Sequence, residues 1–460
     1  MRTELIKGLG LYGATSVVAG TMIGTAIFVV PSIMLAHVGT PSRVIAVWAF
    51  AGILSLFGAL GYSELGAALP EAGGEYVYLH RAYGPAMGFL YGWTQFVVAK
   101  AASIAAISTG FLLYLAYFFP SLSDVFWQTH LSFAGVNATL KLTGLQIGAT
   151  LLILLLSLLN VLGVRRSGAV QTLFTAAKLL VLAVLIVLGL GLGHGSFENF
   201  RQLASAPSHE GVISGFAVAT VSALWAYDGW NNLSMVAGEV QNPQRNMPAA
   251  LIIGSCLVLG VYLLVNAAYF YVLTPAQVLA TNRVAAEAAQ KFLGHGGATF
   301  VAVGVLISTF ATLNGSILSG SRIPYAQARD GLFPQALASL SPRFHTPAAA
   351  IIAQACVAGV FAISGAYEAL YTKAIYSEWI FYALVTAGIL ILRRRQPLLP
   401  RPYRTWGYPF VPLAFVLVAV FILANTFLER RSDALWCLGL VGSGVPAYFV
   451  WRICKGESPR

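Results

Sequence analysis

Charged residues are scarce in this chain. Only 9% of its 460 residues are Asp, Glu, Lys or Arg, whereas 58% are hydrophobic. Soluble domains carry about 25% charged residues, so a protein of this length that folds in water is excluded. Long apolar runs recur from residue 11 to residue 453, which indicates a polytopic membrane protein. The net charge of +11 then reflects basic residues gathered at one membrane face rather than nucleic-acid binding.

Cysteine is scarce as well. The four cysteines lie in or beside apolar runs without the spacing of a metal site, so we expect small buried side chains and neither a disulfide framework nor a metal. They are Cys256, Cys356, Cys437 and Cys454. Residues 1–10 are too few and too polar for a signal peptide, so we expect no cleavable leader. Because the connecting segments are short, we expect no second, soluble domain.

Catalytic and channel motifs are missing. The chain has no paired intramembrane Asp, no His-Glu-x-x-His and no Gly-x-Ser-x-Gly, so we expect neither an enzyme nor a cofactor. It also lacks a filter sequence that oligomerisation would repeat around a pore. An intramembrane enzyme and a channel therefore have no motif in this sequence to support them.

The apolar runs predict twelve membrane spans, since about 20 residues at about 1.5 Å each cross the hydrocarbon core. They are 11–37, 43–68, 84–118, 143–163, 168–193, 212–238, 248–273, 298–326, 347–364, 370–392, 409–428 and 433–453. The connections on the side of the N-terminus hold about twice as many Lys and Arg residues as those opposite. We therefore expect both termini in the cytoplasm and the chain in the inner (plasma) membrane.

Two spans contain sequences that break helices. In the sixth, Asp228 and Gly229 precede two Asn residues where a span should be most apolar. In the first, two Gly and two Thr fall within residues 20–25. A carboxylate inside the membrane is a functional candidate, and freed backbone groups are tolerated there only when they line a cavity. Paired breaks therefore indicate a transporter binding site, although Gly and Thr in span 1 are also compatible with close helix packing.

The motifs at these breaks resemble a known family. The sequence Trp-Ala-Tyr-Asp-Gly-Trp-Asn at 225–231, followed by the Glu, Asn, Pro, Arg, Asn and Pro residues of 239–248, is similar to helix 6 of L-type amino acid transporters. Residues 20–28 resemble their helix 1, and 314–316 and 328–331 match further motifs. These transporters belong to the amino acid–polyamine–organocation superfamily, and the resemblance covers the whole chain. The absence of a cysteine from residues 119–142 indicates a prokaryotic member.

The resemblance implies an all-α fold of the LeuT type. Twelve helices would form two inverted repeats of five, with helices 1 and 6 unwound at mid-membrane. The first repeat would cover residues 1–193 and the second 194–394, with the last two helices in 395–460. Residues 71–83 suit a short cytoplasmic helix, either part of an inner gate or a plain surface helix.

The resemblance also implies where a substrate would bind. The carboxylate would meet the backbone and hydroxyl around Gly24, Thr25 and Ala26, and the ammonium would meet carbonyls near Met22, Trp225 and Asp228. Ala26 stands where the family usually has Gly. Its methyl group narrows the approach of substrate to the backbone, which favours small substrates. The full predicted substrate-binding set is Thr21, Met22, Gly24, Thr25, Ala26, Trp225, Ala226, Asp228, Gly229 and Asn231. Trp225 occupies the position of the gating aromatic.

Four charged residues inside spans are functional candidates, two lysines and two acidic residues. Lys178 resembles a lysine that, in sodium-independent relatives, fills the second sodium site between helices 1 and 8. It would bond helix 1 carbonyls and helix 8 hydroxyls, with Ser308, Thr309 and Thr312 available; the alternative is a lysine that snorkels to the interface. Lys100 lines a vestibule or pairs with helix 9 or 10. Glu378 acts in a gate or in a packing ion pair. Asp228 attracts a cationic side chain, titrates during transport or bonds freed backbone groups.

These features predict a sodium-independent L-amino acid transporter, working as an exchanger by alternating access, which favours neutral amino acids and accepts cationic ones as well. A proton-coupled amino acid symporter and an amine or polyamine carrier are the alternatives. Animal members of the family pair with a glycoprotein through a cysteine between spans 3 and 4. Residues 119–142 contain no cysteine, so we expect no disulfide-linked heavy subunit and a monomer in the lipid bilayer.

Overall fold

The structure is a computed structural model that describes residues 4–133, 136–204, 211–364, 367–429 and 431–455. Most of them are helical. The α-helices are α1 (Leu11–Met22), α2 (Ala26–Val38), α3 (Pro41–Ala68), α4 (Glu75–Tyr83), α5 (Pro85–Thr94), α6 (Lys100–Leu115), α7 (Gly144–Val161), α8 (Val164–Gly191), α9 (Val212–Ala226), α10 (Asn232–Met235), α11 (Pro243–Val272), α12 (Pro275–Leu279), α13 (Val284–Leu293), α14 (Gly296–Gly320), α15 (Arg322–Arg329), α16 (Ala348–Ser364), α17 (Tyr367–Arg395), α18 (Phe410–Glu429), α19 (Arg431–Gly442) and α20 (Gly444–Cys454). The predicted class, a helical polytopic membrane protein, is confirmed.

The number of membrane crossings agrees in part with the prediction. In the described residues, nine apolar helices are long enough to span, and the bent pair α1–α2 makes ten. The predicted spans 212–238 and 347–364 correspond to shorter apolar helices, of which Ser214–Ala226 and Ala348–Ser364 are the apolar parts. The count of twelve, and the division into two inverted repeats, stay predictions.

The connection between α6 and α7 contains two β-strands. Strands β1 (Val125–Phe133) and β2 (Val136–Thr143) form an antiparallel pair, with Gln128 opposite Lys141. The first strand is rich in aromatic and apolar residues, a composition typical of strands. This hairpin follows span 3 and lies outside the helical core.

Span 1 breaks as predicted, but over fewer residues. α1 runs through Met22, α2 begins at Ala26, and the two are bent by 43°. Gly20 is still helical, and a Cβ there would lie 2.3 Å from both Gln171 Nε2 and Thr175 Oγ1 of α8. Gly20 therefore permits close helix packing, and the opening of the backbone is confined to residues 23–25.

Span 6 breaks over a longer stretch. α9 ends at Ala226, the chain turns through residues 227–231, and a single helical turn follows in α10. Gly229 has φ of +111°, a backbone conformation that side chains with a Cβ rarely adopt. A Cβ at this position would lie 2.9 Å from the Thr21 carbonyl carbon. The two breaks therefore touch each other in the core of the protein.

Two expectations about burial need correction. The helix predicted at 71–83 exists as α4, but Glu75, Tyr76 and Tyr78 are buried, so it is not a plain surface helix. Three of the four cysteines, all but Cys437, are exposed on the outside of the helical bundle. A lipid-facing helix surface accepts small apolar side chains as readily as the core does, so low polarity by itself did not fix their location.

Candidate functional site

A cavity of about 80 Å³ lies between the two breaks. Every residue of the predicted substrate-binding set lines it except Asn231. Lys100, Thr309 and Thr312, predicted for gating or coupling, also line it. Sequence reasoning missed the other lining residues, which come mainly from α6, because small residues in an apolar helix give no signal of their own. These are Ser103, Ala106, Ile107, Gly110, Asn232 and Ser316.

The amino end of α2 faces this cavity. The first N–H groups of a helix lack the usual partner four residues earlier. Here Phe28 N donates to Thr25 O over 3.1 Å, and the Thr25 hydroxyl makes no capping hydrogen bond in the described structure. Gly24, Thr25 and Ala26 line the cavity at this point. Unpaired N–H groups and the positive end of the helix dipole form a site suited to a carboxylate.

The carbonyl ends of α1 and α9 face the same region and share one partner. The Tyr262 hydroxyl of α11 lies 3.0 Å from Met22 O and 3.0 Å from Ala226 O. Its ring packs between Trp48 and Tyr227, with ring centroids 5.2 and 5.0 Å away. Sequence reasoning missed Tyr262, because a Tyr within an apolar span is indistinguishable from ordinary core.

A direct hydrogen bond joins the last turn of α1 to the span 6 break. The Thr21 hydroxyl donates to Gly229 O over 2.8 Å. Asn232 Nδ2 donates to the same carbonyl over 3.0 Å. The carbonyl of Gly229 is therefore fixed from both sides, and the unwound part of span 6 is held against α1.

Lys178 lies on the other side of the span 1 break. Its side chain is only 1% exposed, so it does not snorkel to the interface. The ammonium donates to Gly20 O at 2.8 Å, Ile23 O at 2.7 Å and Ser308 O at 2.9 Å. Thr312 Oγ1 is 3.3 Å away. One lysine thus joins α8, the opened end of α1 and α14 in a pocket of oxygen atoms.

The predicted hydroxyl partners of Lys178 differ in what they contact. Ser308 offers the lysine its carbonyl, while its hydroxyl donates to Ile23 O over 2.8 Å. Thr309 faces the cavity, and its hydroxyl donates to Val305 O within α14. Only Thr312 places a hydroxyl near the ammonium.

Asp228 lies at the wall of the cavity and contacts α17. The Tyr382 hydroxyl is 2.7 Å from Asp228 Oδ1 and 3.0 Å from Glu378 Oε2. Glu378 is therefore linked to the cavity through one phenol. Sequence reasoning identified both acidic residues but missed Tyr382, whose hydroxyl lies within hydrogen-bond distance of both.

Comparison with known proteins decides the family. A family model described as amino acid permease matches residues 9–441. The chain belongs to the amino acid permease family. The permease is 34% identical over 453 residues to the b(0,+)-type amino acid transporter 1 of Homo sapiens, covering 98% of this chain and 88% of the relative.

Two further relatives are similar over nearly the whole permease. The serine/threonine exchanger SteT of Bacillus subtilis is 32% identical over 461 residues, or 98% of each chain. The cystine/glutamate transporter of Homo sapiens is 30% identical over 454 residues, covering 98% of this chain and 86% of the relative. The permease is therefore a membrane transporter and not an enzyme.

Lys100 of the permease makes its hydrogen bond with the span 6 break, and it also interacts electrostatically with Glu378 of α17. Its buried ammonium donates to Asn232 Oδ1 over 2.7 Å, and the Ser319 hydroxyl donates to the same oxygen over 2.6 Å. Asn232 in turn holds the Gly229 carbonyl. Lys100 thus supports the cavity wall from α6.

Asn231 points out of the cavity, toward α4. Its Nδ2 donates to Glu75 Oε1 over 2.6 Å, and the Tyr91 hydroxyl donates to Glu75 Oε2 over 3.0 Å. Burial raises the pKa of Glu75. The predicted role of Asn231 in contacting substrate has no geometric support here, since its donor group is occupied by α4.

The face of the permease next to the N-terminal segment is closed. Arg322 Nε and Nη2 lie 2.8 and 2.9 Å from the two carboxylate oxygens of Glu239, and both side chains are 0% exposed. Leu9 N donates to Glu239 O, and Gln241 N donates to Leu9 O. An ion pair and a strand-like contact therefore join the end of span 6 to α15 and to the N-terminal segment.

Proposed function

We propose that this permease exchanges L-amino acids across the inner (plasma) membrane by alternating access and without sodium. The observation that carries the proposal is the cavity between two facing helix breaks, with helix N–H groups on one side and carbonyl ends on the other. A zwitterion brings one carboxylate and one ammonium into a medium of low dielectric constant, where each needs a partner.

The substrate carboxylate would bind at the amino end of α2, around Gly24, Thr25 and Ala26, and the ammonium near the carbonyl ends of α1 and α9. The space left for the side chain lies between Trp225 and the small residues of α6. The size of the cavity favours small neutral amino acids, and Asp228 offers a partner for a cationic side chain. Trp225 would cover the bound substrate during closure.

Lys178 supports sodium independence. Its ammonium carries the positive charge and the oxygen contacts that a bound sodium ion would have between α1 and α14. The relatives named above include a serine/threonine exchanger, which favours exchange over net uptake for this chain. We also propose that both termini lie in the cytoplasm and that the permease acts without a disulfide-linked partner.

Counterflow in proteoliposomes tests this proposal. Vesicles loaded with one unlabelled amino acid would be given each of the labelled amino acids in turn, in sodium and in choline buffer. We expect uptake that depends on internal amino acid and is equal in the two buffers. Loss of uptake in choline would contradict sodium independence. Uptake into empty vesicles driven by an imposed pH gradient would favour the symporter instead, and transport of amines alone would favour the amine carrier.

A further inference from the structure

One phenol lies between two carboxyl groups in this protein. The Tyr382 hydroxyl is within hydrogen-bond distance of Asp228 Oδ1, at 2.7 Å, and of Glu378 Oε2, at 3.0 Å. A phenol has a single proton and can donate it to only one of them. The second contact is a hydrogen bond only if that carboxyl group carries a proton and donates it to the phenol oxygen. With both contacts made as hydrogen bonds, the two carboxyl groups together carry one proton.

The surroundings favour the same protonation state. Glu378 and Tyr382 are buried, and two ionised carboxylates so close to each other in a buried site repel strongly. The hydroxyl of Tyr62 on α3 is buried, has no hydrogen-bond partner in the described part of the chain and lies within electrostatic reach of both carboxyl groups. The ring of Tyr62 packs edge-on against that of Tyr382, with centroids 6.4 Å apart.

Three other titratable or charged groups face this site. Lys100 of α6 lines the same cavity as Asp228 and interacts electrostatically with Glu378. Tyr91 of α5 donates to Glu75 of α4, which lies farther from the cavity. Asn231 and Tyr91 donate to Glu75, and none of these three residues lines the cavity. The positive charge of Lys100 offsets one ionised carboxylate.

We propose that Asp228, Tyr382 and Glu378 form a proton-binding site in the wall of the substrate cavity, where the bound proton alternates with the positive side chain of a cationic amino acid. With a neutral amino acid bound, one carboxyl group stays protonated. When a guanidinium or ammonium side chain binds Asp228, the Glu378 proton passes to the Tyr382 oxygen, the phenol proton passes to Asp228, and Asp228 releases it to water. No net charge builds up in either state.

This inference rests on the proposed exchange function and adds a stoichiometry to it. A cationic amino acid would enter in exchange for a neutral amino acid that leaves together with one proton. The exchange would move no net charge, and the compartment that gains the cationic substrate would become more alkaline.

The test uses proteoliposomes that contain alanine and a pH-sensitive dye, with the membrane potential clamped at zero. Adding arginine outside should make the lumen alkaline by about one proton per arginine, because binding and deprotonation are linked. Adding alanine outside should exchange without a pH change. Clamping removes any proton movement that a membrane current would drive.

Two variants define the role of the pair. In Glu378→Gln the amide can donate to the phenol oxygen without a titratable proton, so arginine should exchange for alanine with no pH change. The matched control is Glu71→Gln, which removes a carboxylate that is 56% exposed and paired with Arg81 at the surface. This control should behave as wild type.

An infrared measurement on the wild-type protein covers the case in which Glu378→Gln does not fold. The carbonyl band of a protonated carboxylic acid should be present with alanine bound and should disappear with arginine.

Arginine entry without proton movement, retained proton movement in Glu378→Gln, or alanine exchange with no acceptance of arginine or lysine would each overturn the inference and leave amino acid exchange standing. The absence of exchange for every amino acid would remove the proposed function, and this inference with it.

Discussion

At the residue scale, a few polar side chains decide what the interior of this apolar protein can do. Lys178, Lys100 and Tyr262 each hold backbone oxygens or an amide next to a helix break. A break at mid-membrane exposes polar backbone groups that lipid cannot satisfy. These side chains form hydrogen bonds with some of the exposed backbone groups, and the remaining groups face the cavity.

Replacing Lys178 with Met should abolish most transport. The change leaves the carbonyls of Gly20, Ile23 and Ser308 without their shared donor, and each lost bond to a charged group costs about 1.5–3 kcal/mol. We expect counterflow to fall by about tenfold or more, since about 1.4 kcal/mol corresponds to a factor of ten. Lys141→Met, at an exposed position, is the control. Wild-type rates in Lys178→Met would contradict the proposed role.

Replacing Tyr262 with Phe should lower thermal stability. The variant keeps the ring packing but removes the hydroxyl next to Met22 O and Ala226 O, and a buried acceptor left without a donor costs about 1–3 kcal/mol. The melting temperature of the purified protein measures this. Tyr12→Phe removes a hydroxyl from a side chain that is 86% exposed and should leave the melting temperature unchanged. Equal changes of melting temperature in the two variants would show that the Tyr262 hydroxyl does not stabilise the protein.

At the scale of elements, the site depends on how closely the broken spans approach each other. α1 and the unwound part of span 6 touch where Gly229 meets the backbone of Thr21. On the side of the N-terminal segment, the pair Glu239–Arg322 joins the end of span 6 to α15. Alternating access requires these contacts to change, so they should control both stability and rate.

Gly229→Ala should disrupt the binding site. A Cβ there combines a positive φ with a contact of 2.9 Å to the backbone of Thr21, which cannot move aside easily. Gly163→Ala is a matched control, because Gly163 also has positive φ, at +120°, but its Cβ would meet nothing within 4 Å. In the control, the Cβ meets only the unfavourable positive φ. We therefore expect Gly163→Ala to lower the free energy of unfolding by about 1–2 kcal/mol. Substrate binding, measured by ligand-induced thermal stabilisation, should disappear in Gly229→Ala alone.

Arg322→Met should be strongly destabilising. It leaves the buried Glu239 carboxylate without its partner, and breaking a buried ion pair in this way costs about 3–5 kcal/mol. Arg81→Met breaks the exposed pair with Glu71, which is worth about 0–1 kcal/mol. Melting curves of the two variants should therefore differ clearly. Similar melting temperatures would show that the buried pair adds little to stability.

At the scale of the whole molecule, the orientation in the membrane follows from basic residues and can be tested directly. We expect Lys7→Cys to react with an impermeant thiol reagent only after cells are permeabilised, because the N-terminus is predicted to be cytoplasmic. Glu198→Cys, in the exposed connection after α8, should react in intact cells. A variant without the four native cysteines is the background. The reverse pattern would invert the predicted topology.

The sequence by itself determined the class, the family and the places where the chain breaks. Low charge and long apolar runs are enough to identify a membrane protein. Gly, Thr and Asp inside such runs mark the helix breaks. Both properties can be read from the sequence because each belongs to a local segment. The tertiary structure alone decided which groups meet across them. It assigned Gly20 to packing, turned Asn231 toward Glu75, placed Tyr262 on two carbonyls and joined Asp228 to Glu378 through Tyr382. Glu378 and Tyr382 are one helical turn apart on α17. The partners in the other contacts are distant in sequence, so no local pattern could have paired them.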